Sequence, residues 1–284
     1  MKVLVLGASG MLGNAVVRLL SENSAWQVYG TVRNESVKRF FTADIAGRLI
    51  AGVDVEQQDS LTAAYARTRP NVVINCIGVV KQLDEANDPL RSVPINTLLP
   101  HRLARLCDLA GARLVHLSTD CVFAGTRGMY AEQDVPDAHD LYGRSKLLGE
   151  VDYPNAVTLR TSIIGHELCS AHGLVGWFLA QQGPVRGFSR AIFSGLPTVE
   201  LARAIRDFVL PNPDLHGVYH VSAEPISKHD LLKLVAAAYG RDTSIAPDDS
   251  LVVDRSLNSQ RFRAATGYSP LPWPQMVQAM RAFG

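Results

Sequence analysis

A doubly wound parallel α/β sheet of the Rossmann type, with a smaller and mostly helical C-terminal lobe, is the fold class the sequence predicts. Three observations predict it. Short apolar runs alternate with helical patterns up to about Ile164, the signature of repeated βα units. The first run passes directly into a turn with glycines at every third position, "GASGMLG". Beyond Ile164 the alternation stops and helical patterns dominate.

The elements follow in order. Lys2–Leu6 is apolar and β-rich, and Met11–Asn23 repeats its apolar residues at helical spacing. Trp26–Val32 is the second strand and Gly52–Glu56 a short third one. Asn71–Ile77, Ala112–Ser118 and Asn155–Arg160 complete the set, with helices at Ser60–Arg69, Ile95–Ala110 and Leu141–Val151 between them. Strands covered on both faces read as continuous apolar runs, and right-handed crossovers wind them into one sheet. In the C-terminal part, helices are expected at Leu174–Gln182, Val199–Leu210, Lys228–Tyr239 and Gln275–Phe283, with a strand at Gly217–Ser222. Ser227 with Asp230 three residues on resembles a capping box in which Asp replaces Glu. The division expected is residues 1–164 for a dinucleotide-binding domain and 165–284 for a substrate lobe, with the chain free to recross. Ligands bind such sheets at the carboxyl edge.

Composition excludes several classes. The chain has 284 residues, 47% hydrophobic and 19% charged, with a net charge of +1. That balance offers no basic surface for nucleic acid and no charged tail for an anionic membrane. No apolar run approaches the about 18 residues of a membrane span. The N-terminal strand enters its glycine turn too soon for a signal peptide. The four cysteines, Cys76, Cys107, Cys121 and Cys169, match no CxxC or zinc spacing. They read as reduced thiols in a cytoplasmic protein without a metal site.

The glycine turn points to a nucleotide. Gly7 permits the tight turn, Gly10 lets the backbone approach a pyrophosphate, and Gly13 allows close helix packing. Ser9, Met11 and Leu12 belong to the same cradle, where the free N–H groups of a helix start meet the phosphates. The second strand ends on Thr31 and Arg33 rather than on a carboxylate. An arginine there pairs with a 2′-phosphate, so NADP(H) is favoured over NAD(H). Glu35 is close enough to serve a ribose if the turn is shifted. Asp54, followed by Val55, is placed to accept from the adenine amino group. Cys76, Ile77 and Gly78 end the fourth strand, where backbone would line the nicotinamide.

"HLSTDCVFAG" ends the fifth strand on Ser118, Thr119 and Asp120, and "LYGRSK" follows with Tyr142 and Lys146 four residues apart. Together with "GASGMLG", "YGRSKLLGE", "LRTS" and "SGLPTVELA", this set resembles the extended short-chain dehydrogenase/reductases. It is most similar to the branch of sugar-nucleotide reductases typified by dTDP-4-dehydrorhamnose reductase. The resemblance runs from residue 7 to about residue 203. It implies that Tyr142 donates a proton to a carbonyl oxygen as hydride reaches carbon. Lys146 would hold the nicotinamide ribose and, with the oxidised nicotinamide, lower a phenol pKa that is about 10 when free. Thr119 would steady the oxyanion by its hydroxyl.

The resemblance implies a nucleotide-linked 4-keto-6-deoxy sugar as substrate, used in polysaccharide assembly. It also implies a homodimer through the helix containing Tyr142. A nucleoside diphosphate needs cationic donors, for which Lys81, Arg186 and Arg255 are candidates. Asp120, Cys121 and His166 complete the substrate-side set. Two positions depart from the rhamnose-pathway pattern: Cys121 stands where those reductases have tyrosine, and Ile163 where they have tryptophan. These departures leave the sugar open. Cys121 resembles the cysteine of GDP-fucose synthase, whose histidine partner would correspond to His166; a dual epimerase-reductase is therefore an alternative. A second alternative comes from a regulatory subunit of methionine adenosyltransferase in the same branch, which binds without catalysing.

Overall fold

The computed structural model describes residues 1–81 and 84–284. Its centre is a seven-stranded parallel sheet. The strands are β1 (Lys2–Leu6), β2 (Gln27–Thr31), β3 (Leu49–Ile50), β4 (Val72–Asn75), β5 (Arg113–Thr119), β6 (Ala156–Thr161) and a last strand at Gly217–His220. Their spatial order is β3–β2–β1–β4–β5–β6 and then Gly217–His220. The order reverses between β1 and β4, so the connections leave the sheet on opposite faces there and open a crevice at the carboxyl ends. The chain therefore returns to the sheet after the second lobe has begun.

Burial explains why these runs became strands. Val3–Leu6 in β1 and all of β4 and β6 are buried, as a sheet covered on both faces requires. One core contains residues of the helices Met11–Ser21, Thr198–Ala204 and Trp273–Phe283. The other contains residues of the helices Gln58–Thr68 and Leu99–Leu109.

Two expectations change. The third strand is Leu49–Ile50, and Gly52–Glu56 is a loop. Gly52 takes φ +76°, and the Asp54 carboxylate accepts from the Glu56 N–H at 3.0 Å, so local turn bonds replace sheet pairing. The helix expected at Ile95–Ala110 begins earlier and has three parts: Pro89–Ser92, a π-type turn at Val93–Leu98, and Leu99–Leu109. Pro94 withholds an amide from that widened turn.

The C-terminal residues add small sheets. Ala191–Phe193 pairs with Ile226–Ser227 and Val253–Asp254, and Val185–Phe188 with Ile245–Asp248. Ser227 caps the helix Lys228–Tyr239 by accepting from the Asp230 N–H at 3.0 Å. Asp230 takes the Ser227 hydroxyl instead of returning to the backbone.

Candidate active site

The glycine turn lies at the crevice. Gly7 has φ +81°, and its N–H donates to Thr31 Oγ1 at 3.2 Å. A Cβ on Gly13 would stand 2.0 Å from the Gly7 carbonyl oxygen, which is the close helix packing the spacing predicts. The helix Met11–Ser21 starts on Gly10 with no side-chain cap and no acid in its first turn. Its first N–H groups and positive dipole end therefore suit a diphosphate. Ser9 and Met11 are half-buried at the turn, and Leu12 is buried beneath it. The segment from Glu167 to Gly173 folds over Met11, held by the Glu167 carboxylate on the Gly173 N–H at 2.8 Å.

Beside the turn, a cavity of about 460 Å³ is lined by Arg33, Val53, Asp54, Val79, Arg91 and Ile95. Its walls combine apolar side chains with two carboxylates, Asp54 and Glu56, and two guanidinium groups. Val55 is buried in the core instead of lining this space. Cys76 and Ile77 close the strand end, with Ile77 Cγ1 only 2.8 Å from a Cβ built on Gly7. Burial pushes the Cys76 thiol up to about 12. Gly78 is exposed, and a Cβ there would lie 3.8 Å from Lys146 Nζ. Arg91 was not expected from the sequence. It sits in the short helix Pro89–Ser92, whose Asp88 cap accepts from the Leu90 N–H at 2.9 Å; the Asp-Pro pair is the signal that marks this helix start.

The candidate catalytic residues meet at the end of β5. Thr119 is buried, and Tyr142 faces it from the helix Leu141–Leu148. Asp140 caps the helix Leu141–Leu148 by accepting from the Gly143 N–H at 2.7 Å, which sets where Tyr142 stands. Lys146 is 5% exposed and donates to the Leu117 carbonyl at 2.7 Å. Burial lowers its pKa to about 8, against the opposing charge of Glu150. Burial, then the neighbouring Cys121, raises the Tyr142 pKa, while the Thr119 hydrogen bond opposes the rise. The phenol is neutral, the state a proton donor needs.

Two further residues hold this arrangement. Asn96, in the π-type turn, accepts from the Val79 N–H at 2.9 Å and donates to Ser145 Oγ at 3.2 Å, joining the loop after β4 to the catalytic helix. Glu150 receives both arms of Arg160, at 2.7 and 2.6 Å, and the Ser118 hydroxyl at 2.7 Å.

The substrate-side candidates divide. Asp120, Cys121 and Arg255 stand beside Thr119, and Arg255 Nε donates to the Phe123 carbonyl at 2.8 Å. Lys81 is on the same side but pairs with Asp140 at 2.6 Å. Burial pushes the Cys121 thiol up to about 12. Arg186 lies elsewhere, on the strand Val185–Phe188, in a 3.5 Å ion pair with Asp248 and largely in solvent. His166 is also elsewhere: it is bonded to the Tyr239 hydroxyl at 2.7 Å and lines a separate cavity of about 250 Å³ with Asn14, Arg18 and Phe283. The segment after β6 turns toward the helix Met11–Ser21, so the structure does not pair His166 with Cys121.

Fold and site define an extended short-chain dehydrogenase/reductase, the class that works with a nicotinamide dinucleotide. A family model described as the RmlD substrate binding domain matches residues 1–280. The chain belongs to this family. A structure described as a hypothetical dTDP-4-dehydrorhamnose reductase from Sulfolobus tokodaii is 27% identical with a TM-score of 0.77, covering 96% of this chain and 98% of that one. Among curated proteins, the probable low-salt glycan biosynthesis reductase Agl14 of Haloferax volcanii is 34% identical over 182 residues, 62% of this chain and 58% of its own. The methionine adenosyltransferase 2 subunit beta of Danio rerio is 28% identical over 262 residues, 86% of this chain and 75% of its own.

Proposed function

We propose that the protein reduces a nucleotide-linked 4-keto-6-deoxy sugar with NADPH, in the cytoplasm and in the service of polysaccharide assembly. The observation that carries this reading is the convergence of Thr119, Tyr142 and Lys146 beside the glycine turn. The cofactor supplies the hydride when bound. Tyr142 releases its proton to the carbonyl oxygen, Thr119 steadies the charge there, and Lys146 orients the ribose side. Arg33 and Arg91 hold the 2′-phosphate, and Asp54 accepts from the adenine. Arg255 and Lys81 meet the substrate, with residues 165–284 as the lobe that closes over it; Lys81 must first leave Asp140. We place a homodimer contact on the outer face of the catalytic helix, where Leu148 is exposed.

The test is NADPH oxidation against UDP-, dTDP- and GDP-linked 4-keto-6-deoxy sugars in deuterated water. Turnover without deuterium beside the carbonyl supports simple reduction. Deuterium at a neighbouring carbon, above spontaneous exchange, would favour the epimerase-reductase and require a partner for Cys121 other than His166. Replacing Arg33 or Arg91 by alanine should raise KM for NADPH far more than for NADH; equal effects would remove the 2′-phosphate assignment.

A second reading is favoured by one observation, the coverage of this chain by the adenosyltransferase beta subunit. In that reading the protein binds NADP(H) and regulates a partner. Tight cofactor binding without turnover on any sugar of the panel would support it.

A further inference from the structure

A hydroxyl has one proton and two lone pairs. Thr119 Oγ1 accepts from the Cys121 backbone N–H at 3.1 Å and lies 3.0 Å from Asp120 Oδ1. If Asp120 is ionised, its carboxylate can only accept, and it takes the Thr119 proton. Oγ1 then has no proton to offer a substrate carbonyl. If Asp120 is protonated, the accounting reverses. Its O–H and the Cys121 N–H fill both lone pairs of Oγ1, and Thr119 must donate outward.

We propose that Asp120 is a neutral carboxyl in the cofactor-loaded protein and the positioning residue that aims the Thr119 proton at the substrate carbonyl. Asp120 keeps its proton through the reaction; the proton that leaves is that of Tyr142, and it becomes part of the product hydroxyl. Its consequence for turnover rests on the reductase reading, whereas the protonation state does not.

The surroundings agree with this assignment. Asp120 is 8% exposed. Burial raises its pKa, against the hydrogen bonds of Thr119 and Cys121 and the charges of Arg255 and Lys228. Tyr142 faces it from the catalytic helix, and Lys228 from the start of the helix Lys228–Tyr239. Among the described residues neither cation forms an ion pair with it, and Arg255 Nε is engaged by the Phe123 carbonyl. A bound substrate and nicotinamide would remove more water and favour the neutral form further.

The experiment has two arms. The first compares infrared spectra of wild type and Asp120→Asn, both with saturating NADP⁺ at pH 7. A neutral-carboxyl stretch is expected in wild type, shifted in deuterated water and missing in the variant. A difference confined to carboxylate bands would overturn the proposal. The second arm follows NADPH oxidation. Asp120→Ala should lose about tenfold or more, since the Thr119 donor is no longer aimed. Asp120→Asn, whose amide N–H replaces the carboxyl O–H, should recover most of that loss. An asparagine variant no better than alanine would overturn the proposal. If alanine fails to fold, the infrared arm and the near-isosteric asparagine still decide. A neutral-carboxyl band in a protein that reduces no sugar would uphold the Asp120 assignment and count against the reductase reading.

Discussion

At the scale of single residues, the proposed reaction makes Tyr142 the proton source and Lys146 the charge near it. Tyr142 is neutral, and its pKa is raised by burial; Lys146 is buried with a pKa lowered to about 8. Tyr142→Phe removes the phenolic proton beside Thr119. Turnover should fall by about 10²- to 10⁴-fold while cofactor affinity stays within a few-fold, as stopped-flow and titration would read it. Near-normal turnover would rule out Tyr142 as donor. Lys146 makes a pH prediction. Its ammonium form is complete below pH 8 and is lost as the pH rises through that value. The reduction rate should decline above about pH 8, by roughly tenfold per unit. Lys146→Arg, which stays charged, should lack that limb even if its rate is lower throughout; an unchanged limb would assign it to another group.

At the scale of elements, the catalytic helix depends on how it starts. Leu141–Leu148 is only eight residues long, too short to hold itself together without its cap and its packing. Asp140 accepts from the Gly143 N–H with one oxygen and pairs with Lys81 through the other. Asp140→Ala should cost about 1 kcal/mol of stability, measurable as a lower urea midpoint at unchanged slope. It should also lower kcat, because Tyr142 lies in the helix's first turn. A stability loss with kcat intact would show that packing alone places Tyr142. The candidate residues Thr119, Tyr142 and Lys146 were legible in the sequence because they are local in the chain. The partners of the catalytic helix were not, since Asn96 and Lys81 reach it from loops and turns more than 40 residues away.

At the scale of the whole molecule, a buried polar network ties the last strand of the sheet to the site. Arg160 of β6 holds Glu150 and approaches His220 Nε2 at 3.3 Å, and His220 Nδ1 lies 2.9 Å from the Tyr130 carbonyl oxygen. Burial, then the charge of Arg160, lowers the His220 pKa to about 4 from 6.5. The folded state thus binds fewer protons than the unfolded chain between these values. Its stability is intact above pH 6.5 and is lost as the pH falls toward 4, by about 3 kcal/mol from this residue. Chemical denaturation from pH 7 to pH 4 should show the decline, and His220→Asn should make it shallower. A slope the variant leaves unchanged would place the acid sensitivity elsewhere.

Strand and helix types, the glycine turn and the Thr119, Tyr142 and Lys146 set follow from the sequence by itself, because each rests on spacing within one or two elements. The turn needs no tertiary information, since Gly7 must take a positive φ and Gly13 must lack a side chain wherever a strand feeds a helix this closely. The third strand was misplaced because Gly52–Glu56 has the alternation of a strand but makes its bonds locally. Only the tertiary structure decided where the charges stand and with which neighbours they pair. Arg91 joins Arg33 across a cavity from a distant helix, Lys81 is held by Asp140, and Arg186 is held by Asp248. His166 and Cys121 are separated because the chain after β6 turns toward the helix Met11–Ser21 and the Tyr239 hydroxyl. Side-chain chemistry states what a residue can do, and packing determines which neighbour it does it with.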